Sequence, residues 1–154
     1  MHPRGSILVV DDDESLTGVL AELLGFKGFD VWTADNGIHG YTSYLRHATD
    51  IVLTDIQMPE LNGIEMMRCI RAINSAVRTI YMTASPDRFS AMLKREKREF
   101  ASMLLIKPFS SGDLLPLISF PEIRKQSTRS VNCVCGQESN RAESIRSHKL
   151  KEGL

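Results

Sequence analysis

Long apolar runs, a surplus of either charge and paired cysteines are all missing from this chain of 154 residues. No stretch approaches the ~20 apolar residues that cross a bilayer. The apolar part of the opening MHPRGSILVV is far shorter than a signal-peptide core. The sequence is therefore read as cytoplasmic, with no membrane partner. Its 19 basic residues balance 19 acidic ones, so there is no broad positive field for nucleic acid or anionic lipid. Three cysteines, Cys69, Cys133 and Cys135, are an odd number without the spacing of a disulfide framework, which suits a reducing compartment. Cys69 reads as core filling. Cys133 and Cys135 lack the usual zinc-site spacing and have only His148 nearby, so they read as incidental thiols. Internal repeats are absent.

What is present suits one globular domain: 42% of the residues are apolar and 25% charged, enough for a single core with a tail attached. Short β-type runs alternate with helical patterns through residues 5–120, the signature of a parallel sheet with crossover helices. The runs are Ser6–Val10, Phe29–Thr33, Asp50–Thr54, Arg78–Thr83 and Ser102–Ile106. ILVV, IVLT and MLLI are almost unbroken apolar stretches, as expected of central strands covered on both faces. Between the runs, Leu16, Val19, Leu20, Leu23 and Leu24 follow helical spacing. Ile38, Tyr41, Tyr44 and Leu45 form a second stripe, and Ile64, Met67, Ile70 and Ile73 a third. All three read as core faces.

A fourth helix is expected from about Asp87 to Glu99, where KREKRE reads as a solvated face with i, i+4 pairs such as Arg95 with Glu99. The fifth begins with Ser110 and Asp113 in a capping-box arrangement, but Pro116 falls inside it. An interior proline costs about 3 kcal/mol or more, so a short, kinked or displaced helix is expected. Residues 121–154 turn polar and lean basic, with too few apolar residues for a second core. They read as a disordered tail or a short helix near Glu138–Leu150. A folded DNA-binding domain does not fit there, and direct DNA binding is not expected.

The first run ends in three adjacent carboxylates, Asp11, Asp12 and Asp13. Two such charges about 4 Å apart repel by roughly 4 kcal/mol at an effective dielectric of 20, so solvent or a cation must offset them. The third run ends in Asp55, the fourth in Thr83 and the fifth in Lys107. In an open parallel sheet all these ends lie on one edge, where ligands bind. Each residue has a plain reading. An aspartate after a strand is commonly a helix N-cap, and Thr83 and Lys107 are ordinary singly. Their gathering at one edge is what the plain reading leaves unexplained. Carboxylates with a backbone carbonyl form the hard oxygen set that Mg²⁺ prefers. Hydroxyl and ammonium groups suit phosphoryl oxygens, and an aspartate can serve as nucleophile.

With ILVVDDDESL, DIVLTDIQMPELNGIEM, TIYMTAS and LLIKPFS in that order, residues 5–120 resemble the receiver domain of two-component response regulators. The resemblance implies a flavodoxin-like (CheY-like) α/β sandwich, doubly wound, with a five-stranded parallel sheet of order 2-1-3-4-5. It implies that Asp55 is the phosphorylated residue, and that Asp11, Asp12, Asp55 and the Gln57 carbonyl hold Mg²⁺. Thr83 and Lys107 would contact the phosphoryl group, and Lys107-Pro108 would be cis. Asp13 reads as charge at a helix start. The implied partners are a sensor histidine kinase or phosphotransfer protein and an unknown downstream protein. The chain would be a phosphoacceptor that catalyses its own phosphotransfer and dephosphorylation rather than an enzyme acting on other substrates.

Departures from the family pattern gather on the output side. Leu104 stands where a Tyr or Phe is usual, Phe100-Ala101 replaces Gly-Ala, and Pro116 is anomalous. Phe100 is a candidate to fill part of the missing aromatic's space. The leading reading is a phosphoacceptor switch without a fused output domain. The alternatives are a phosphorylation-independent interaction module of the same fold and a Mg²⁺-dependent phosphohydrolase. The hydrolase is opposed by the lack of a D-x-D arrangement at Asp55.

Overall fold

The structure, a computed structural model, describes residues 2–119. The tail 121–154, with the possible helix at 138–150, Cys133, Cys135 and His148, lies outside them. The chain runs β1 (Ser6–Val10), α1 (Glu14–Phe26), β2 (Asp30–Ala34), α2 (Gly37–His47), β3 (Ile51–Asp55) and α3 (Gly63–Ile73). It continues with β4 (Arg78–Thr83), a 3₁₀ turn (Pro86–Phe89), α4 (Ser90–Glu99), β5 (Ser102–Ile106) and α5 (Ser111–Ser119). All neighbouring strands pair in parallel, in the order 2-1-3-4-5. The fold class implied by the motifs is the one observed, and Lys107-Pro108 is cis.

Strand alternation divides the core. One face of the sheet carries Leu8, Val10, Val52 and Tyr81 against Tyr44 of α2 and Ile64, Met66, Met67 and Ile70 of α3. The other carries Ile7, Val9, Leu53, Ile80, Met82 and Leu105 against Leu20 and Leu24 of α1 and Leu114 and Ile118 of α5. Each fully buried Leu or Ile contributes about 1.5–3 kcal/mol, which explains why β1 and β3 read as continuous apolar runs.

Helix starts follow local chemistry. Asp13 caps α1, accepting from the backbone N–H groups of Ser15 and Leu16 at 3.0 and 3.2 Å. Asn62 and Glu65 form a reciprocal capping box at α3. At α5 the Asp113 carboxylate accepts from both the backbone N–H and the hydroxyl of Ser110, at 2.8 and 2.7 Å.

Several expectations need correction. The strands β2 and β3 each begin one residue later than the apolar pattern suggested, so Asp55 is the last residue of β3 itself. MLLI belongs to an edge strand, last in the sheet, with Leu104 and Ile106 on the surface. The helical stripes are narrower than their spacing implied: Val19, Ile38, Leu45 and Ile73 are exposed. Cys69 is exposed rather than core. KREKRE is not uniformly solvated. Arg95 and Glu99 do pair on the surface, at 3.1 Å, but Glu96 turns inward to Arg71.

The last helix is short, with Pro116 on its exposed side. Pro116 lacks the N–H that would bond one turn back. Arg78 compensates at the far end, donating to the carbonyls of Leu117 and Ile118 at 3.0 and 3.5 Å, where a cation also suits the helix dipole. Arg78→Met keeps the apolar stem and removes these bonds. It should cost about 1–2 kcal/mol in urea unfolding and speed amide exchange in α5 more than in β1 or β3.

Candidate functional site

The carboxyl ends of β1, β3, β4 and β5 meet at one edge of the sheet, and each presents a polar group just where its apolar run stops. Asp11 follows β1 and is almost wholly buried. Its Oδ1 accepts from the Asp13 backbone N–H at 3.0 Å, which fixes the carboxylate as the chain turns into α1. Asp12 is exposed, and Asp55 is 7% exposed. Carboxylate oxygens of Asp11, Asp12 and Asp55 lie within 4.8 Å of one another.

Lys107, reaching in from the end of β5, holds this charge together. Its Nζ is 2.6 Å from Asp11 Oδ2 and 3.4 Å from Asp55 Oδ1. Burial works against the ammonium, but the hydrogen bond to Asp11 and the charges of Asp11 and Asp55 outweigh it, and the lysine pKa is raised above 10.5. Asp55 is pushed up from 3.8 to about 6, first by burial and then by the Asp11 charge, with Lys107 opposing both. The carboxylate set is thus short of positive charge even with Lys107 in place. That shortage, with three hard oxygen donors so close together, fits a small divalent cation. Asp11, Asp12 and Asp55 could supply carboxylates, and Gln57, exposed on the loop two residues past Asp55, has its backbone carbonyl close by in sequence.

Thr83 is buried at the end of β4, one residue beyond Met82, the register partner of Asp55. Its Oγ1 accepts from the Ser85 backbone N–H at 3.0 Å, leaving the hydroxyl proton free to donate elsewhere. Among the described residues the Thr83 side chain makes no hydrogen bond to Asp55 or Lys107, although the Lys107 backbone N–H donates to the Thr83 carbonyl at 2.8 Å. Asp13 acts as a helix cap, apart from the cluster.

Gly63 was not singled out from the sequence, although NGIE begins a helix there. A Cβ on it would sit 2.1 Å from the Asp55 carbonyl oxygen and 3.0 Å from Thr54 Oγ1. Its N–H donates to the Ile56 carbonyl at 2.9 Å. The start of α3 therefore packs directly on the backbone of Asp55, and only glycine fits.

The model of the response regulator receiver domain family matches residues 7–119. The chain belongs to that family, the receivers of two-component signalling. Among curated relatives, a transcriptional regulatory protein CpxR homolog of Haemophilus influenzae is 38% identical over 112 residues, 73% of this chain and 48% of that protein. DNA-binding response regulator MtrA of Mycobacterium tuberculosis is 36% identical over the same shares. The chain thus spans about half the length of these relatives. One is named a transcriptional regulatory protein and the other a DNA-binding response regulator, so the expectation of no direct DNA binding concerns this stretch of sequence alone. Among solved structures, a receiver domain protein of Clostridium thermocellum aligns with a TM-score of 0.66 at 30% identity, covering 73% of this chain and 90% of that one. The HemR receiver domain of Leptospira biflexa gives 0.68 at 25%, covering 75% and 91%.

Two outcomes follow. A carboxyl group whose folded pKa exceeds its unfolded value binds its proton more tightly when folded, so its ionised form lowers stability at neutral pH and the loss fades as pH falls from about 6 toward 3.8. Asp55→Asn should accordingly stabilise the metal-free protein by about 1–2 kcal/mol at pH 7, allowing for water at the site. The gap to the unsubstituted protein should close near pH 4 in unfolding titrations. Gly63→Ala should cost about 1–3 kcal/mol in the same measurement.

Proposed function

We propose that this receiver domain accepts a phosphoryl group on Asp55 from a histidine kinase or phosphotransfer protein, with Mg²⁺ held by Asp11, Asp12, Asp55 and the Gln57 carbonyl, and that the modified form changes its preference for a downstream partner. The observation that carries this reading is the lysine-bridged carboxylate cluster. Asp55 lies in contact range of Lys107 and close to two further carboxylates that would be mutually repulsive without a purpose.

The chemistry follows from the residues in place. With a pKa of about 6, Asp55 is mostly ionised at neutral pH and so available as a nucleophile. Its carboxylate oxygen forms the new O–P bond as the P–N bond of a phosphohistidine breaks, and the leaving imidazole nitrogen takes up a proton. When bound, Mg²⁺ supplies charge neutralisation at the transferring oxygens. Lys107 stays an ammonium beside the acceptor and can pair with the product's oxygens. Thr83, with its proton unused, can donate a hydrogen bond to one of them. The phosphorylated group carries about 1.5–2 negative charges where the ionised carboxylate carried one, a net gain of about one charge at most, at a site already short of cations. That shift in local charge is the driving force for a change of state.

A second reading, an interaction module that works without phosphorylation, draws on β5. Leu104, where the family has an aromatic, is apolar and 38% exposed, so the usual readout is altered. The relatives named as DNA-binding leave transcriptional control as the proposed setting of the whole protein.

Incubation with acetyl phosphate and Mg²⁺ should give one acid-stable, hydroxylamine-labile label per chain, lost in Asp55→Asn and on chelation of the metal. Lys107→Ala and Thr83→Ala should each slow labelling by about ten- to a hundredfold, the range of one or two lost charge-assisted hydrogen bonds. No labelling under any of these conditions would favour the module.

A further inference from the structure

The α4 helix is attached to the fold in a way that its neighbours are not. Its sequence, SAMLKREKRE, offers two large apolar side chains, of which Met92 is exposed and Leu93 half-buried. A surface helix normally keeps its place through an apolar stripe. Here the buried residue of α4 is a carboxylate, Glu96.

Glu96 Oε2 receives hydrogen bonds from Arg71 Nη1 of α3 and, at 2.7 Å, from the Tyr81 hydroxyl of β4. Burial raises the Tyr81 pKa to about 12, so the hydroxyl keeps its proton and donates. Arg71 is fixed in turn. Its Nη2 donates to Thr79 Oγ1 at 3.0 Å, and its guanidinium carbon lies 4.0 Å from the centroid of the Phe100 ring, a cation–π arrangement. Phe100 thus serves the arginine, and the idea that it fills the missing aromatic's space gives way to this role. Arg71 Nε is buried without a partner, which leaves the guanidinium dependent on those contacts.

These contacts line up along one strand. Thr79, Tyr81 and Thr83 alternate on β4 and share a face. The same face therefore touches Arg71, touches Glu96 and then reaches the acceptor edge. On β5 the register partner of Tyr81 is Leu104, which has no side-chain hydrogen bond to offer. A carboxylate at this depth is stable when fully paired or when hydrated, and costly between the two. A cleft of about 300 Å³ lined by Arg71, Glu96 and Phe100 gives it water to turn toward.

We propose that Arg71, Tyr81 and Glu96 form a latch that holds α4 against α3 and β4, and that the acceptor site acts on α4 through β4 and this latch rather than through β5. The second half rests on the phosphoacceptor reading above. Displacement of β4 at Thr83 would move the Tyr81 hydroxyl away from Glu96, and a helix with so little apolar anchorage would follow its carboxylate into solvent.

Hydrogen exchange of the α4 amides, measured on the full chain with Mg²⁺ and with or without fluoroberyllate as the phosphoryl mimic, tests this. Uptake of the mimic is followed separately by fluorine NMR. In the unsubstituted protein uptake should speed α4 exchange by roughly tenfold or more, equivalent to a modest local opening, while β1 and β3 stay slow. Tyr81→Phe should take up the mimic with no α4 response. Glu96→Gln should exchange fast in α4 in both states. Arg71→Leu with Glu96→Leu, which keeps the contact but removes the charges, should be slow in both, and it preserves the test if Glu96→Gln fails to fold.

Uptake without an α4 response in the unsubstituted protein, or a full response in Tyr81→Phe, overturns the link to the acceptor while leaving the phosphoacceptor reading intact. Absence of uptake overturns that reading and the link together. Slow α4 exchange in folded Glu96→Gln overturns the latch itself.

Discussion

Repulsion among Asp11, Asp12 and Asp55 is the constraint around which this edge of the sheet is built. Three carboxylates within 4.8 Å of each other are tolerated because Lys107 comes in from the end of β5, two places from β3 and three from β1 in the sheet, and spans Asp11 and Asp55. The lysine gives partial relief, as the elevated Asp55 pKa of about 6 attests. Burial is the largest cause of that elevation, ahead of the Asp11 charge, so depth at the sheet edge weighs on Asp55 alongside its neighbours. The arrangement costs stability, since an apolar strand end would bury the same edge without unpaired charge.

The rest of the fold serves to hold this edge still. Two apolar layers clamp the sheet from either side, β1 and β3 are buried on both faces, and α3 begins so tightly against Asp55 that its first residue must be glycine. Rigidity there contrasts with the opposite flank. Along β5 and α4, Leu104 and Ile106 reach the surface, a proline interrupts α5, and one buried carboxylate carries the attachment of α4. A firmly packed carboxylate edge beside a loosely packed flank is the physical condition for a local charge change to shift one part of the molecule and not the whole.

Much of this was readable before any coordinates. Fold class and strand order followed from the resemblance carried by short ordered motifs, and the polar residues gathered at the sheet edge were legible because a strand end followed by a polar residue marks the limit of a buried run. Asp13 as a cap and the Arg95–Glu99 pair were also legible, being local effects. The misreadings share a cause. Val19, Ile38, Leu45, Ile73 and Cys69 sit at helical spacing yet face solvent, since spacing alone cannot say how wide a stripe the sheet will cover. MLLI looked central for the same reason, as composition does not reveal a missing neighbour.

The sequence by itself determined which side chains could gather at the strand ends, because alternating apolar runs and helical periods call for a parallel sheet whose strand ends share one edge, while the strand order came from the family resemblance. It also determined where helices start, through Asp13, Asn62 and Ser110. Tertiary structure alone decided that Glu96, one of two acids among six consecutive charged residues, is the one turned inward. Its partners lie 25 and 15 residues away on two other elements, and no local rule connects them. Long-range pairing of this kind is set by where packed elements bring their side chains, and that geometry exists only once the chain has folded.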